Sequence, residues 1–389
     1  MLASALLLGL ATAVAAKNCV DLKIPLYLRS RNGVFDMATP KTEIEVTNFI
    51  LDYARNGRNY TNAVTTGFKT IKGNYKLAAT YCEPDWGARD TLQIVTHGIG
   101  FDRSYWDFPY KSYNYSYVNR ALDQGYSVLS WDRLGIAHSS HGDPIDEIQI
   151  FLAIAALEEL TKWVKHGKLQ GGKHKYSKMV HIGHSFGSAI TLGMTSANPE
   201  LSDAIVLSGF SQVPSFLAQF LLGANFISVK GVEFLAPKYS EGYLASKSTV
   251  GLQTNFFAPG DFDPKILGAA AITGQPAAIG ELMTLGSVSP QSNFKGPVLI
   301  VTGERDVPFC GGDCTKTDPI NHSARDLLQA SKRNFKSASV FKTVVIPGAG
   351  HGLNYQYSAP LTYRAILNFI KTNVKDRGGR HHYSDSRET

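Results

Sequence analysis

The sequence predicts an α/β protein, a mainly parallel sheet with helices on both faces. Two observations point there. Short apolar runs recur, and most of them end in glycine, proline or a charged residue. Segments with helical spacing separate these runs, and no internal repeat divides the chain.

Taken in order, residues 43–54 and 67–82 read as early extended segments. Thr91–Thr96 is a short apolar strand ending at His97-Gly98, and Tyr126–Trp131 is another, ending at Asp132. Asp143-Pro144 opens a helix over 145–166, with Ile148, Phe151, Leu152, Ala155, Ala156 and Leu160 on one face. Lys178–Ile182 is the next strand, and a helix follows it to about Ala197, stopping near Asn198-Pro199. Ala204–Ser208, Pro297–Thr302 and Phe341–Ile346 are further strands, and a helix near 358–374 closes the domain. Residues 210–293 break the rhythm with Phe216, Leu217, Phe220, Leu221 and Leu222, then Gly- and Ala-rich helical patterns. They read as a cap inserted into the sheet domain. The expected organisation is therefore core at 17–209, cap at 210–293 and core again at 294–374. The residues from Lys375 to the end have the polar composition of an unfolded tail.

Composition narrows the function. With 43% hydrophobic and 18% charged residues the chain is neither disordered nor fibrous. The formal charge is +7, and its densest stretch runs from Lys162 to Lys178. Gly171-Gly172 interrupts that stretch, so it reads as a solvated loop rather than a nucleic-acid surface. The opening MLASALLLGLATAVAA carries no charged side chain, is short for a bilayer span and ends in small residues. It is expected to be a cleaved secretory signal, residues 1–16. No later run is long and apolar enough for membrane insertion. Cys19, Cys82, Cys310 and Cys314 form an even set that allows three pairings. Cys310–Cys314 as a local staple is favoured, leaving Cys19–Cys82 to tie the mature amino terminus to the early strands. Sequons at Asn59, Asn114 and Asn321 fit a secreted glycoprotein.

The chemistry centres on Gly183-His184-Ser185-Phe186-Gly187, a G-x-S-x-G pentapeptide between a strand and a helix. Such a turn displays a serine on a strained backbone, and its flanking residues must be small. Serine needs a base to become nucleophilic. His351, in Gly348-Ala349-Gly350-His351-Gly352 just past the last strand, is the candidate. The base needs a carboxylate to hold its tautomer. Asp306 follows the strand ending at Thr302, with Glu304 and Asp313 as rivals. An oxyanion requires two donors. Phe186 N–H is one, and Ile99 N–H in His97-Gly98-Ile99-Gly100 is the favoured second. His97 is expected to brace that loop, and Asp132 and Arg133 to brace the elbow by ion pairing.

These motifs, with Trp131-Asp132-Arg133-Leu134-Gly135, Gly303-Glu304-Arg305-Asp306 and Gly350-His351-Gly352, resemble the serine α/β-hydrolases of the esterase and lipase type. The resemblance is more specifically to the secreted, capped members common in filamentous fungi, and covers about residues 90–375. It implies an α/β-hydrolase fold with an eight-stranded, mostly parallel sheet and a helical cap between strands six and seven. Epoxide hydrolases and haloalkane dehalogenases of this fold carry Asp where Ser185 stands, which argues against both. The expectation is a hydrolase of carboxylic esters or related acyl bonds, with a small-molecule acyl substrate and no metal or organic cofactor. Acyl transfer, lactonisation or product release in a secondary-metabolite pathway, an aminopeptidase-type activity, and a non-catalytic binding protein on the same scaffold are the alternatives. The oligomeric state is not encoded in any feature of the sequence.

Overall fold

The structure is a computed structural model, and it describes residues 17–85, 87–169, 175–320 and 324–375. The expected signal segment, the Asn321 sequon, Lys173 of the basic stretch and residues 376–389 of the polar tail lie outside the described residues.

Eight strands form one sheet: β1 (Lys17–Phe35), β2 (Thr65–Pro84), β3 (Thr91–Thr96), β4 (Ser127–Trp131), β5 (Lys178–His184), β6 (Ala204–Ser208), β7 (Val298–Gly303) and β8 (Phe341–Ile346). Their spatial order is β1-β2-β4-β3-β5-β6-β7-β8. β1 pairs with β2, and β2 with β4, in antiparallel fashion. From β4 to β8 every pairing is parallel. β3, β4, β6 and β7 are buried along their whole length, which is why they read as unbroken apolar runs. β1 instead alternates, burying Leu22, Ile24, Leu26 and Leu28 and exposing the residues between them.

The segment expected to be extended at 43–54 is instead α1 (Glu43–Tyr53). Thr42 and Glu45 form a reciprocal capping box there, and Val46, Phe49 and Ile50 fall on the buried face. α2 (Tyr117–Asp123), α3 (Ile150–Lys165) and α4 (Phe186–Ala197) belong to the core. α3 and α4 touch where Ile154 presses on Gly193, and a Cβ added there would displace the Ile154 side chain, 2.4 Å away at Cδ1.

Between β6 and β7 the chain makes a long excursion. It contains α5 (Leu217–Gly223), α6 (Thr249–Phe256), α7 (Pro264–Ile272) and α8 (Ile279–Thr284). A three-stranded antiparallel sheet of Phe226–Ser228, Tyr243–Ser246 and Ala277–Ala278 joins them. These strands are only two to four residues long, too short to leave a periodic signature in the sequence. α9 (Ala359–Asn373) returns to the sheet and meets α2 through the Tyr117–Tyr363 ring contact. Two disulfides, Cys19–Cys82 and Cys310–Cys314, join the pairs favoured from the sequence. Among the described residues no helix is long and apolar enough to cross a membrane.

Candidate active site

Because β3, β4, β5, β7 and β8 are mutually parallel, the segments that follow them emerge at one edge of the sheet. That single fact gathers His97–Gly100, Asp132-Arg133, Ser185, Asp306 and His351.

Ser185 stands between the end of β5 and the start of α4, with φ 56° and ψ −119°. A non-glycine residue at positive φ is strained. The strain is held by close packing of two glycines. A Cβ on Gly183 would lie 2.3 Å from the Gly187 carbonyl oxygen, and one on Gly187 would lie 2.3 Å from the Thr96 carbonyl oxygen. Strand, turn and helix therefore touch backbone to backbone, and only glycine fits either position.

His351 is 1% exposed. Its Nδ1 is 2.8 Å from Asp306 Oδ2. Asp306, fully buried, also accepts from Phe309 N–H at 2.8 Å and from the Thr302 hydroxyl. The rivals are placed elsewhere. Glu304 accepts from Gly348 N–H, and Asp313 binds Thr315. The His351 ring sits among Phe256, Phe309 and His184, with centroids 5.4, 5.5 and 4.9 Å away. Among the described residues His351 Nε2 has no hydrogen-bond partner. The loop carrying it is clamped to the excursion, since Gly352 N–H and Gln356 Nε2 both donate to the Phe256 carbonyl, at 2.7 and 2.9 Å.

His184 stacks on Tyr105 at 4.4 Å. Burial, then the neighbouring His351 and His97, hold it well below the ordinary imidazole range, so it stays neutral.

The loop after β3 is fixed from behind. His97 Nε2 accepts from Arg133 N–H at 3.1 Å, which leaves Nδ1 to donate to the Gly98 carbonyl at 2.9 Å. Burial and the Arg133 cation keep His97 neutral, well below its usual range. Gly98 lies against the elbow, where an added Cβ would stand 2.8 Å from Ser185 Cβ. Asp132 and Arg133 both form ion pairs, as expected, but with partners that the sequence does not mark. Asp132 pairs with Arg103, and Arg133 with Glu281 on α8. Glu281, Phe256, Gln356 and Thr302 went unnoticed in the sequence. Glu281, Phe256 and Gln356 take their roles from contacts distant in the chain, whereas Thr302 meets Asp306 four residues on, a contact that the strand end alone does not mark.

Two cavities open onto this edge, each of about 300 Å³. The first is lined by Ser185 together with Ala189, Leu192, Phe210, Leu217, Val288 and Phe309. The second lies within the excursion and includes Lys247, Asn255, Phe256 and Gln275. Ile99 and Phe220 border both.

A strained serine on a strand-to-helix turn and a buried His–carboxylate pair at the same sheet edge define a hydrolase scaffold of the nucleophile-elbow type. The profile of the alpha/beta hydrolase family matches residues 94–364, and the chain belongs to that family. No curated protein matches the sequence. Among solved structures, the chain is similar to a thermophilic esterase from Thermogutta terrifontis, at 14% identity and TM-score 0.54 over 78% of this chain and 96% of that one. An alpha/beta hydrolase fold protein from Chitinophaga pinensis is similar at 14% identity and TM-score 0.50, covering 77% and 94%. A bromoperoxidase from Bacillus anthracis is similar at 17% identity and TM-score 0.50, covering 77% and 96%. At these identities the likeness is one of fold.

Proposed function

We propose that the protein is a secreted serine hydrolase that cleaves carboxylic esters through an acyl-enzyme, with Ser185, His351 and Asp306 as its triad. The observation that carries this reading is the His351–Asp306 bond, made through Nδ1, which leaves Nε2 without a partner at the edge where Ser185 is displayed. Nε2 takes the Ser185 proton as Oγ attacks the acyl carbonyl carbon. The carbonyl π electrons move onto oxygen, and the Phe186 and Ile99 amides hold the resulting oxyanion. His351 then gives its proton to the leaving oxygen as the ester C–O bond breaks. Water, deprotonated by the same nitrogen, releases the acid and regenerates Ser185. Asp306 stabilises the imidazolium formed in each half-reaction.

Several features support this reading and narrow the substrate. Among the described residues, no Lys, Arg, Asp or Glu lines the cavity holding Ser185, so it suits an uncharged, apolar acyl group. With no carboxylate there to hold an α-ammonium, an aminopeptidase is disfavoured. The second cavity shares Ile99 with the first and leaves room for an alcohol portion. Extracellular placement is supported by the two disulfides and by exposed sequon residues Asn59 and Asn114.

The test is Ser185→Ala. Turnover of p-nitrophenyl esters and labelling by a fluorophosphonate should both vanish, while the thermal midpoint stays at or above that of the parent. Continued labelling of the variant would remove Ser185 from the mechanism.

A further inference from the structure

We propose that Arg133 and Glu281 form a positioning pair that aims the oxyanion donors, so that a residue of the excursion sets transition-state stabilisation in the core. The inference rests on the reading of Ile99 and Phe186 as those donors, and goes beyond it.

The argument starts from one peptide plane. The Gly98 carbonyl and the Ile99 N–H belong to the same trans peptide and point in opposite directions. Fixing the carbonyl therefore fixes the N–H. Two groups hold that carbonyl: His97 Nδ1 at 2.9 Å and Arg133 Nη2 at 3.2 Å. The Arg133 guanidinium also lies over the Phe186 ring, 4.9 Å from its centroid. Phe186 supplies the other candidate donor. One cation thus braces both donors from the side away from the substrate cavity, whose lining does not include it.

The position of that cation is itself set from α8. Arg133 and Glu281 are 0% and 1% exposed, and Arg133 Nη1 donates to Glu281 Oε1. The second carboxylate oxygen of Glu281 accepts from Ala278 N–H at 3.1 Å, tying the side chain to the start of its own helix. A buried ion pair adds little stability over an apolar pair of the same volume. Its contribution here is orientation, through a planar guanidinium that meets the carboxylate, the Gly98 carbonyl and an aromatic face at once. Arg133 and Glu281 are positioning residues, since neither touches the reacting atoms.

The test compares wild type, Glu281→Gln and the double variant Arg133→Met with Glu281→Met. The double variant leaves no unpaired buried charge, so it keeps the fold measurable even if Glu281→Gln does not. Each protein is assayed for kcat and KM on a p-nitrophenyl ester, for affinity toward an alkyl trifluoromethyl ketone and for fluorophosphonate labelling. The ketone forms a hemiketal oxyanion on the serine and so reads the donors directly. With folding checked by thermal midpoint, kcat should fall about 10- to 100-fold, part of the loss seen when a whole oxyanion donor is removed. KM should change by less than about threefold, and ketone affinity should drop by the same factor as kcat. Labelling of wild type at Ser185 checks the parent reading separately. A folded double variant with wild-type kcat and ketone affinity would overturn the pair's role. So would a loss of kcat with ketone affinity unchanged.

Discussion

At the scale of single residues, the geometry around Asp306 assigns it one task. Its Oδ2 faces His351 Nδ1, its Oδ1 caps Phe309 N–H, and the Thr302 hydroxyl also donates to it. A carboxylate held by three donors keeps His351 in the tautomer with its proton on Nδ1 and Nε2 free to accept. Asp306→Asn would keep the shape and still accept from Phe309 N–H at Oδ1, but an amide NH2 in place of Oδ2 would face the ring and favour the opposite tautomer. The expected result is a fall in kcat of about 10³- to 10⁴-fold with little change in KM or thermal midpoint. Steady-state kinetics on an activated ester would show it. A loss of less than tenfold would mean that another carboxylate serves His351.

At the scale of elements, the two cross-links act on different properties. Cys19–Cys82 joins facing residues of β1 and β2 across a separation of 63 residues, whereas Cys310–Cys314 spans four. Chain entropy assigns the long loop about 4 kcal/mol and the short one about 2 kcal/mol. The short one, however, closes the segment that begins at Asp306, where Gly312 N–H returns to the Asp306 carbonyl. Replacing Cys19 and Cys82 by Ser should therefore lower the denaturant midpoint more. Replacing Cys310 and Cys314 should lower kcat more. Equal effects of both pairs on both readouts would contradict this division. Elements also explain what the sequence made legible. β3, β4, β6 and β7 are buried along their whole length and β5 nearly so, and these, with the apolar Val344–Ile346 end of β8, stand out without neighbours to compare. The elbow, the late histidine and the Asp after β7 stand out because each follows such a run. α1 is a helix where residues 43–54 read as extended, and its one local sequence signal is the capping box at Thr42 and Glu45. β1 shows in the sequence only as the alternation of Leu22, Ile24, Leu26 and Leu28 with Lys23, Pro25 and Tyr27. Glu281 could not be read at all, because its meaning is a contact 148 residues away with Arg133.

At the scale of the whole molecule, two of the contacts between the excursion and the core bear on the site, one at the His351 loop through the Phe256 carbonyl and one at the loop after β3 through Glu281. The core between these contacts holds neutral histidines, and that makes stability depend on pH. Burial lowers His97 and His184 well below the ordinary value and His181 to about 3. His181 is satisfied while neutral, with Nε2 at 2.9 Å from the Thr161 hydroxyl and Nδ1 at 2.8 Å from the Ser202 hydroxyl. In the unfolded chain an imidazole takes up a proton below about pH 6.5. In the folded protein these three do not, so below that pH the unfolded state binds more protons and stability falls as pH falls. For His181 the contribution is fully present above about pH 6.5 and is lost progressively until the pH passes about 3. His181→Gln removes one such group. Urea titrations at pH 7.5, 6 and 4.5 should show the variant destabilised at pH 7.5 but with a shallower decline toward acid. The difference in slope should approach one proton, about 1.4 kcal/mol per pH unit. Parallel declines for wild type and variant would mean that His181 accepts its proton in the folded state and that the acid sensitivity lies elsewhere.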